Sequence, residues 1–277
     1  WKARTHADRA DLLMAWHQLI LDHADDLALI LTREQGKPLA EARGEILYGA
    51  SFVRWFAEEA RRINGKIIPS PVPGKKIFAM KEPVGVCAIV TPWNFPNAMI
   101  TRKVAPALAA GCTIVVRPAE QTPLTAVALA GILDEVGLPK GILSVLTGFG
   151  DTGKAIVAHP GIDKITFTGS TAVGRMVMSQ AAAHGTRVQL ELGGKAPFVV
   201  FDDADLDAAI QGAVAGALIN AGQDCTAATR AIVAPSLYDD FVSGVADVMA
   251  SVRVGDPRDP ETDMGSLISL AHRDKVA

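Results

Sequence analysis

The chain has 277 residues, 49% of them apolar, and a net charge of −3, so it can bury a sizeable core and is not a disordered segment. No run of like charges marks a nucleic-acid footprint or an anionic-membrane binder, and no apolar stretch is long enough to span a bilayer. Three cysteines (Cys87, Cys112, Cys225) make no disulfide framework, which points to a reducing, cytoplasmic setting, and no signal peptide is expected.

Residues 6–62 read as helices. Leu12, Leu13, Trp16, Leu19 and Ile20 form a stripe of period 3.6, and Gly36-Lys37-Pro38 interrupts the pattern. A second periodic run carries Ile46, Ala50, Val53 and Ala57. Residues 66–82 predict two short strands around a Pro/Gly turn. The rhythm then changes. Short apolar runs at 84–90, 113–116, 143–146, 165–168 and 188–192 alternate with Ala- and Leu-rich segments such as 98–110 and 125–136. Strand alternating with helix implies βαβ units with right-handed crossovers, and so an α/β, doubly wound, Rossmann-like parallel sheet.

A new unit is expected after Gly193-Gly194. Residues 198–201 and 231–234 read as strands. Asp202 or Asp203 can cap a helix striped by Leu206, Ile210, Val214 and Leu218, and a further helix covers 237–252. The chain therefore divides into 1–192 and 193–277, the latter expected to be the truncated start of a second α/β domain. The opening at Trp1, and an end at Lys275-Val276-Ala277 in what reads as the start of a helix, predict a fragment.

A Rossmann-like layer places phosphates at a strand-to-helix turn. The best candidate is Phe167–Gly174, FTGSTAVG, in which Gly169 lets the backbone approach a phosphate and Ser170 offers a hydroxyl. Taken alone it also fits an ordinary Ser-capped helix. Glu120, in Arg117-Pro118-Ala119-Glu120, can accept both ribose hydroxyls of an adenosine and would repel a 2′-phosphate, which favours NAD over NADP. Cys225 is the only cysteine in a Gly-containing polar loop, the setting of a reactive thiol. Cys87 and Cys112 fall in or beside apolar strands and read as core. Glu191 ends a strand before Gly193-Gly194, where desolvation would suit a general base. Asn94, in a loop stiffened by Pro92 and Pro96, offers an amide to an oxyanion. The six histidines show no ligand spacing, so no metal site is predicted.

Together these pieces resemble the aldehyde dehydrogenase superfamily: TPWNFP (91–96), VVRPAE (115–120), FTGSTAVG (167–174), LELGGK (190–195) and GQDC (222–225), in that order. The resemblance implies Cys225 as nucleophile, Asn94 and the Cys225 N–H as oxyanion donors, and Glu191 as the base that activates water against a thioester. It also places Trp93, Arg117, Glu120, Gly169, Ser170, Gly174 and Leu192 at the cofactor, NAD. Arg117 stands where the family usually has Lys. Residues 34–41 (EQGKPLAE) and 96–103 (PNAMITRK) are most similar to succinate-semialdehyde dehydrogenases, which implies that Arg102 holds a substrate carboxylate. A second arginine of that subfamily is Ile219 here. GQDCTA (222–227) instead resembles aminobutyraldehyde and betaine-aldehyde dehydrogenases. Succinic semialdehyde is the expected substrate and an aminoaldehyde the alternative; a non-catalytic nucleotide-binding fragment is the rival from another class. The hairpin at 66–82 resembles the oligomerisation region and implies a homo-oligomer.

Overall fold

The computed structural model describes all residues, 1–277. Three helices come first: α1 (His6–Asp22), α2 (Ala24–Gln35) and α3 (Leu39–Ala60). Thr5 caps α1 in a reciprocal capping box with Asp8, and Gly36 ends α2 in the left-handed conformation that the interruption at 36–38 predicts. An antiparallel hairpin follows, β1 (Lys66–Pro69) and β2 (Lys76–Ala79), exposed along its whole length.

The main sheet is built from β3 (Val86–Val90), α4 (Ala98–Ala110), β4 (Thr113–Arg117), α5 (Pro123–Glu135), β5 (Leu143–Val145), α6 (Gly150–Val157), β6 (Lys164–Gly169), α7 (Thr171–Ala182) and β7 (Arg187–Leu192). All five strands are parallel, in the order β5-β4-β3-β6-β7. This is the doubly wound order, and its direction reverses between β3 and β6. Alternation along β3 shows how the sheet is covered on both faces. Ile89 joins a core with Trp16, Leu31, Ile46 and Leu108 from the N-terminal helices and α4. Its neighbours Ala88 and Val90 join a second core with Val157, Phe167 and Val177, beneath α6 and α7.

A smaller unit carries β8 (Pro197–Val200), α8 (Leu206–Leu218), β9 (Arg230–Val233) and α9 (Tyr238–Ala250), packed around Val200, Ile210 and Phe241. A short helix, α10 (Leu270–Val276), follows, capped by the Ser269 hydroxyl, which accepts from the His272 N–H at 3.1 Å. One expectation is corrected here. Asp205, not Asp202 or Asp203, caps α8, accepting from the Ala208 N–H at 3.0 Å. Asp202 and Asp203 are the middle residues of a turn closed by Ala204 N–H to the Phe201 carbonyl, which delays the helix.

Candidate active site

The loop after β3 divides two cavities. Trp93 lines a groove of about 370 Å³ at the carboxyl ends of β3, β4 and β6, where the sheet changes direction. Phe95 lines a neighbouring pocket of about 460 Å³ that holds Cys225 and Arg102. Asn94 lies between them. Its amide donates to the Gln223 carbonyl at 3.0 Å, which fastens it to the loop carrying Cys225.

That loop is strained. Asn220 and Ala221, with φ of 53° and 55°, sit in the left-handed region, which costs a non-glycine residue on the order of 1–3 kcal/mol. Side-chain bonds hold it there. The Asn220 amide donates to the Asn94 carbonyl at 2.7 Å, and the Gln223 amide donates to the Asn220 carbonyl at 3.0 Å. Neither polar loop residues nor a glycine in the sequence announces two successive non-glycine residues in this conformation.

Cys225 is half-buried, while Cys87 and Cys112 are buried, as expected of core thiols. Burial pushes the Cys225 thiol up. Asp224 adds to this by its charge and as a hydrogen-bond acceptor, and Arg102 opposes it. The base candidate lies on β7, whose residues alternate. Val188, Leu190 and Leu192 pack toward the core under α7. Arg187, Gln189 and Glu191 therefore face the other side of the sheet. Glu191 is exposed, so the dry surroundings expected of it are not provided by these residues. A link from Glu191 to the thiol is Lys103 on α4, a residue that sequence reasoning missed. Burial and the nearby Arg102 charge lower its ammonium to about 7, and both Glu191 and Cys225 are close enough to oppose that fall. It is the sixth residue of α4, and no signal in the sequence separates it from a helix-surface cation.

In the groove, Arg117 Nη2 donates to Glu120 at 2.6 Å and to the Gly148 carbonyl at 2.8 Å. Two buried polar atoms there, Arg117 Nε and Thr168 Oγ1, have no partner within the protein. Gly169 lines the groove, and a Cβ there would meet the Phe167 ring at 2.5 Å. Ser170, Gly174 and Leu192 do not line it. The Ser170 hydroxyl accepts from the Val173 N–H at 3.3 Å as the cap of α7. Gly174 is buried, and a Cβ there would strike Leu192 Cδ2 at 2.6 Å, so its absence lets α7 approach β7.

The family model for the aldehyde dehydrogenase family matches residues 1–277. The chain is 51% identical to a glutarate-semialdehyde dehydrogenase of Pseudomonas aeruginosa over 277 residues, which are 100% of this chain and 57% of that protein. It is 50% identical over 269 residues to a succinate-semialdehyde dehydrogenase of Escherichia coli named for NADP(+), covering 97% of this chain and 56% of that one. The crystal structure of succinate-semialdehyde dehydrogenase from Burkholderia pseudomallei superposes with a TM-score of 0.98 at 51% identity, over 100% of this chain and 57% of that one. The chain thus spans somewhat over half the length of the relatives it matches, and it belongs to the aldehyde dehydrogenase family.

Proposed function

We propose that this member of the aldehyde dehydrogenase family oxidises a carboxylate-bearing aldehyde, succinic semialdehyde foremost, to the acid with NAD. The observation that carries this reading is a single pocket holding the Cys225 thiol and the Arg102 guanidinium, with Asn94 bonded to the thiol's loop. A pocket cation matches a distal carboxylate. The names of the Pseudomonas and Escherichia relatives, both semialdehyde dehydrogenases, point the same way for the substrate, although the Escherichia name carries NADP(+).

In this scheme Cys225, as thiolate, bonds to the aldehyde carbon, and the carbonyl pair moves onto oxygen. The Asn94 amide and the Cys225 N–H hold that oxyanion; one such donor is worth about 3–4 kcal/mol. A bound nicotinamide dinucleotide supplies the hydride acceptor. The remaining acyl group is a thioester on Cys225. Glu191 takes a proton from water, the hydroxyl adds to the acyl carbon, and the C–S bond breaks to release the acid and the thiolate.

The groove suits the dinucleotide. Arg117 Nε and Thr168 Oγ1 lack partners that ligand oxygens could supply. The first turn of α7, with Ser170 as its cap, leaves the N–H groups of Thr171 and Ala172 for phosphates, while Gly174 and Leu192 set how closely that helix lies on β7. Trp93 and Gly169 line the groove, and the exposed Glu120 carboxylate suits ribose hydroxyls and repels a 2′-phosphate, which favours NAD over NADP. The exposed hairpin, with Ile67, Phe78 and Met80 on its surface, is an apolar patch that a homo-oligomer would cover.

A second reading has its own observation. Asp224 and Glu41 line the same pocket, and Ile219 stands there where a second cation would strengthen carboxylate binding. Acidic walls suit an aminoaldehyde. Steady-state kinetics on succinic semialdehyde, 4-aminobutanal and butanal, with and without Arg102→Met, decides between them. Loss of the guanidinium should raise KM for succinic semialdehyde about 10- to 100-fold and leave butanal unaffected. Preference for 4-aminobutanal by orders of magnitude, or indifference to Arg102→Met, would overturn the semialdehyde assignment.

A further inference from the structure

In the wall of the Cys225 pocket lies an ion pair that takes no part in the chemistry above. Lys37 and Glu45 have side chains only 1% and 2% exposed, and Lys37 Nζ donates to Glu45 Oε2 at 2.7 Å. Each charge is also committed to the Asn94 loop. The other Glu45 oxygen accepts the backbone N–H groups of Asn97 and Ala98, at 2.8 and 3.1 Å, where α4 begins. Lys37 Nζ donates to the Asn94 carbonyl at 3.0 Å and lies 4.1 Å from the centre of the Phe95 ring. Thus Asn94, Phe95, Asn97 and Ala98 are all gripped by one pair reaching in from α3 and the turn before it.

A buried ion pair is a poor source of stability. Desolvation offsets most of the attraction, and a well-packed apolar pair of the same volume often serves as well. What the pair does impose is geometry. It holds the Asn94 carbonyl from one side while the Asn220 amide holds it from the other. With the main chain pinned at both, the Asn94 amide has one orientation toward the Cys225 loop.

We propose that Lys37 and Glu45 are positioning residues for Asn94, fixing the direction of its amide at the oxyanion through the Asn94 carbonyl and the start of α4. This rests on the assignment of Asn94 as oxyanion donor. Removing either partner alone would strand a buried charge, so the informative variant neutralises both, Lys37→Met/Glu45→Gln, and keeps an acceptor for the α4 N–H groups.

The test is a cycle with Asn94→Ala, measured by NADH formation from succinic semialdehyde, NAD+ binding and thermal unfolding. The paired variant should lower kcat roughly 10- to 100-fold with KM for the aldehyde changed less than about threefold, and should lower kcat no more than about twofold when Asn94 is already Ala. NAD+ affinity should not change. A merely structural role would give equal losses in both backgrounds, and that result overturns the proposal. So does an unchanged kcat in the paired variant when Asn94→Ala is impaired. An unimpaired Asn94→Ala variant removes the oxyanion assignment itself, and the proposal with it. Should the paired variant fail to fold, Glu45→Asp, which keeps both charges and draws the carboxylate back by one methylene from the α4 N–H groups, carries the same cycle and the same outcomes.

Discussion

Lys103 is buried on α4, and dehydration together with the Arg102 charge brings its ammonium down to about 7. The native protein therefore releases this proton over a range, from about 7 up to the ordinary 10.5, in which the unfolded chain keeps it. Where the unfolded state binds more protons, stability rises with pH. Below that range both states are protonated and the full cost of the buried charge is present. One proton gives a slope of at most about 1.4 kcal/mol per pH unit. Lys103→Met removes the effect. The unfolding free energy of the wild type minus that of the variant should climb between pH 7 and pH 9, as read by denaturant titration; a flat difference would mean that Lys103 keeps its charge. The same residue marks a boundary of sequence reading. Cys225, Asn94 and Glu191 stand in recognisable motifs, whereas a lysine within PNAMITRK looks like any helix-surface cation until α4 is laid on the sheet and its Nζ is taken out of water.

At the level of elements, the turn from β6 into α7 carries most of the cofactor reading. Gly169 closes β6 against the Phe167 ring, and Phe167 is itself buried. A methyl group there has nowhere to go unless the ring moves. Gly169→Ala should cost about 1–3 kcal/mol of stability, the usual range for an overpacked site. It should also weaken NAD+ binding, because Phe167 and Gly169 both line the groove. Denaturant unfolding and calorimetric titration read the two effects; a variant as stable as the wild type, with unchanged affinity, would show that the ring yields freely. Elements of this kind were legible in advance. Short apolar runs place the five strands of the main sheet to within a few residues, and the Ala- and Leu-rich segments at 98–110 and 125–136 fall on α4 and α5, whereas nothing in the sequence singles out α6. Caps were less legible. Asp202, Asp203 and Asp205 are chemically equal as caps, and only the tight turn over 201–204 selects the last.

On the scale of the molecule, the site is assembled from segments far apart in the chain. Gln35, Lys37 and Glu45 come from the N-terminal helices, Asn94 from the first crossover, and Asn220 and Gln223 from the smaller unit. Gln35 donates to Asn220 across a sequence separation of 185. No local pattern encodes such a pairing, because periodicity and capping speak only of neighbours. The architecture could be read because each βαβ unit is local, while the polar network joining the units could not. The central claim is that Cys225, Asn94 and Glu191 serve one acyl transfer, and a trapped intermediate tests it most directly. Protein carrying Glu191→Gln, mixed with NAD+ and succinic semialdehyde, should release about one equivalent of NADH and then stop, because the thioester forms but water is not activated. Mass spectrometry should find the succinyl group on the peptide containing Cys225. Undiminished turnover, or an acyl group on any other residue, would contradict the account.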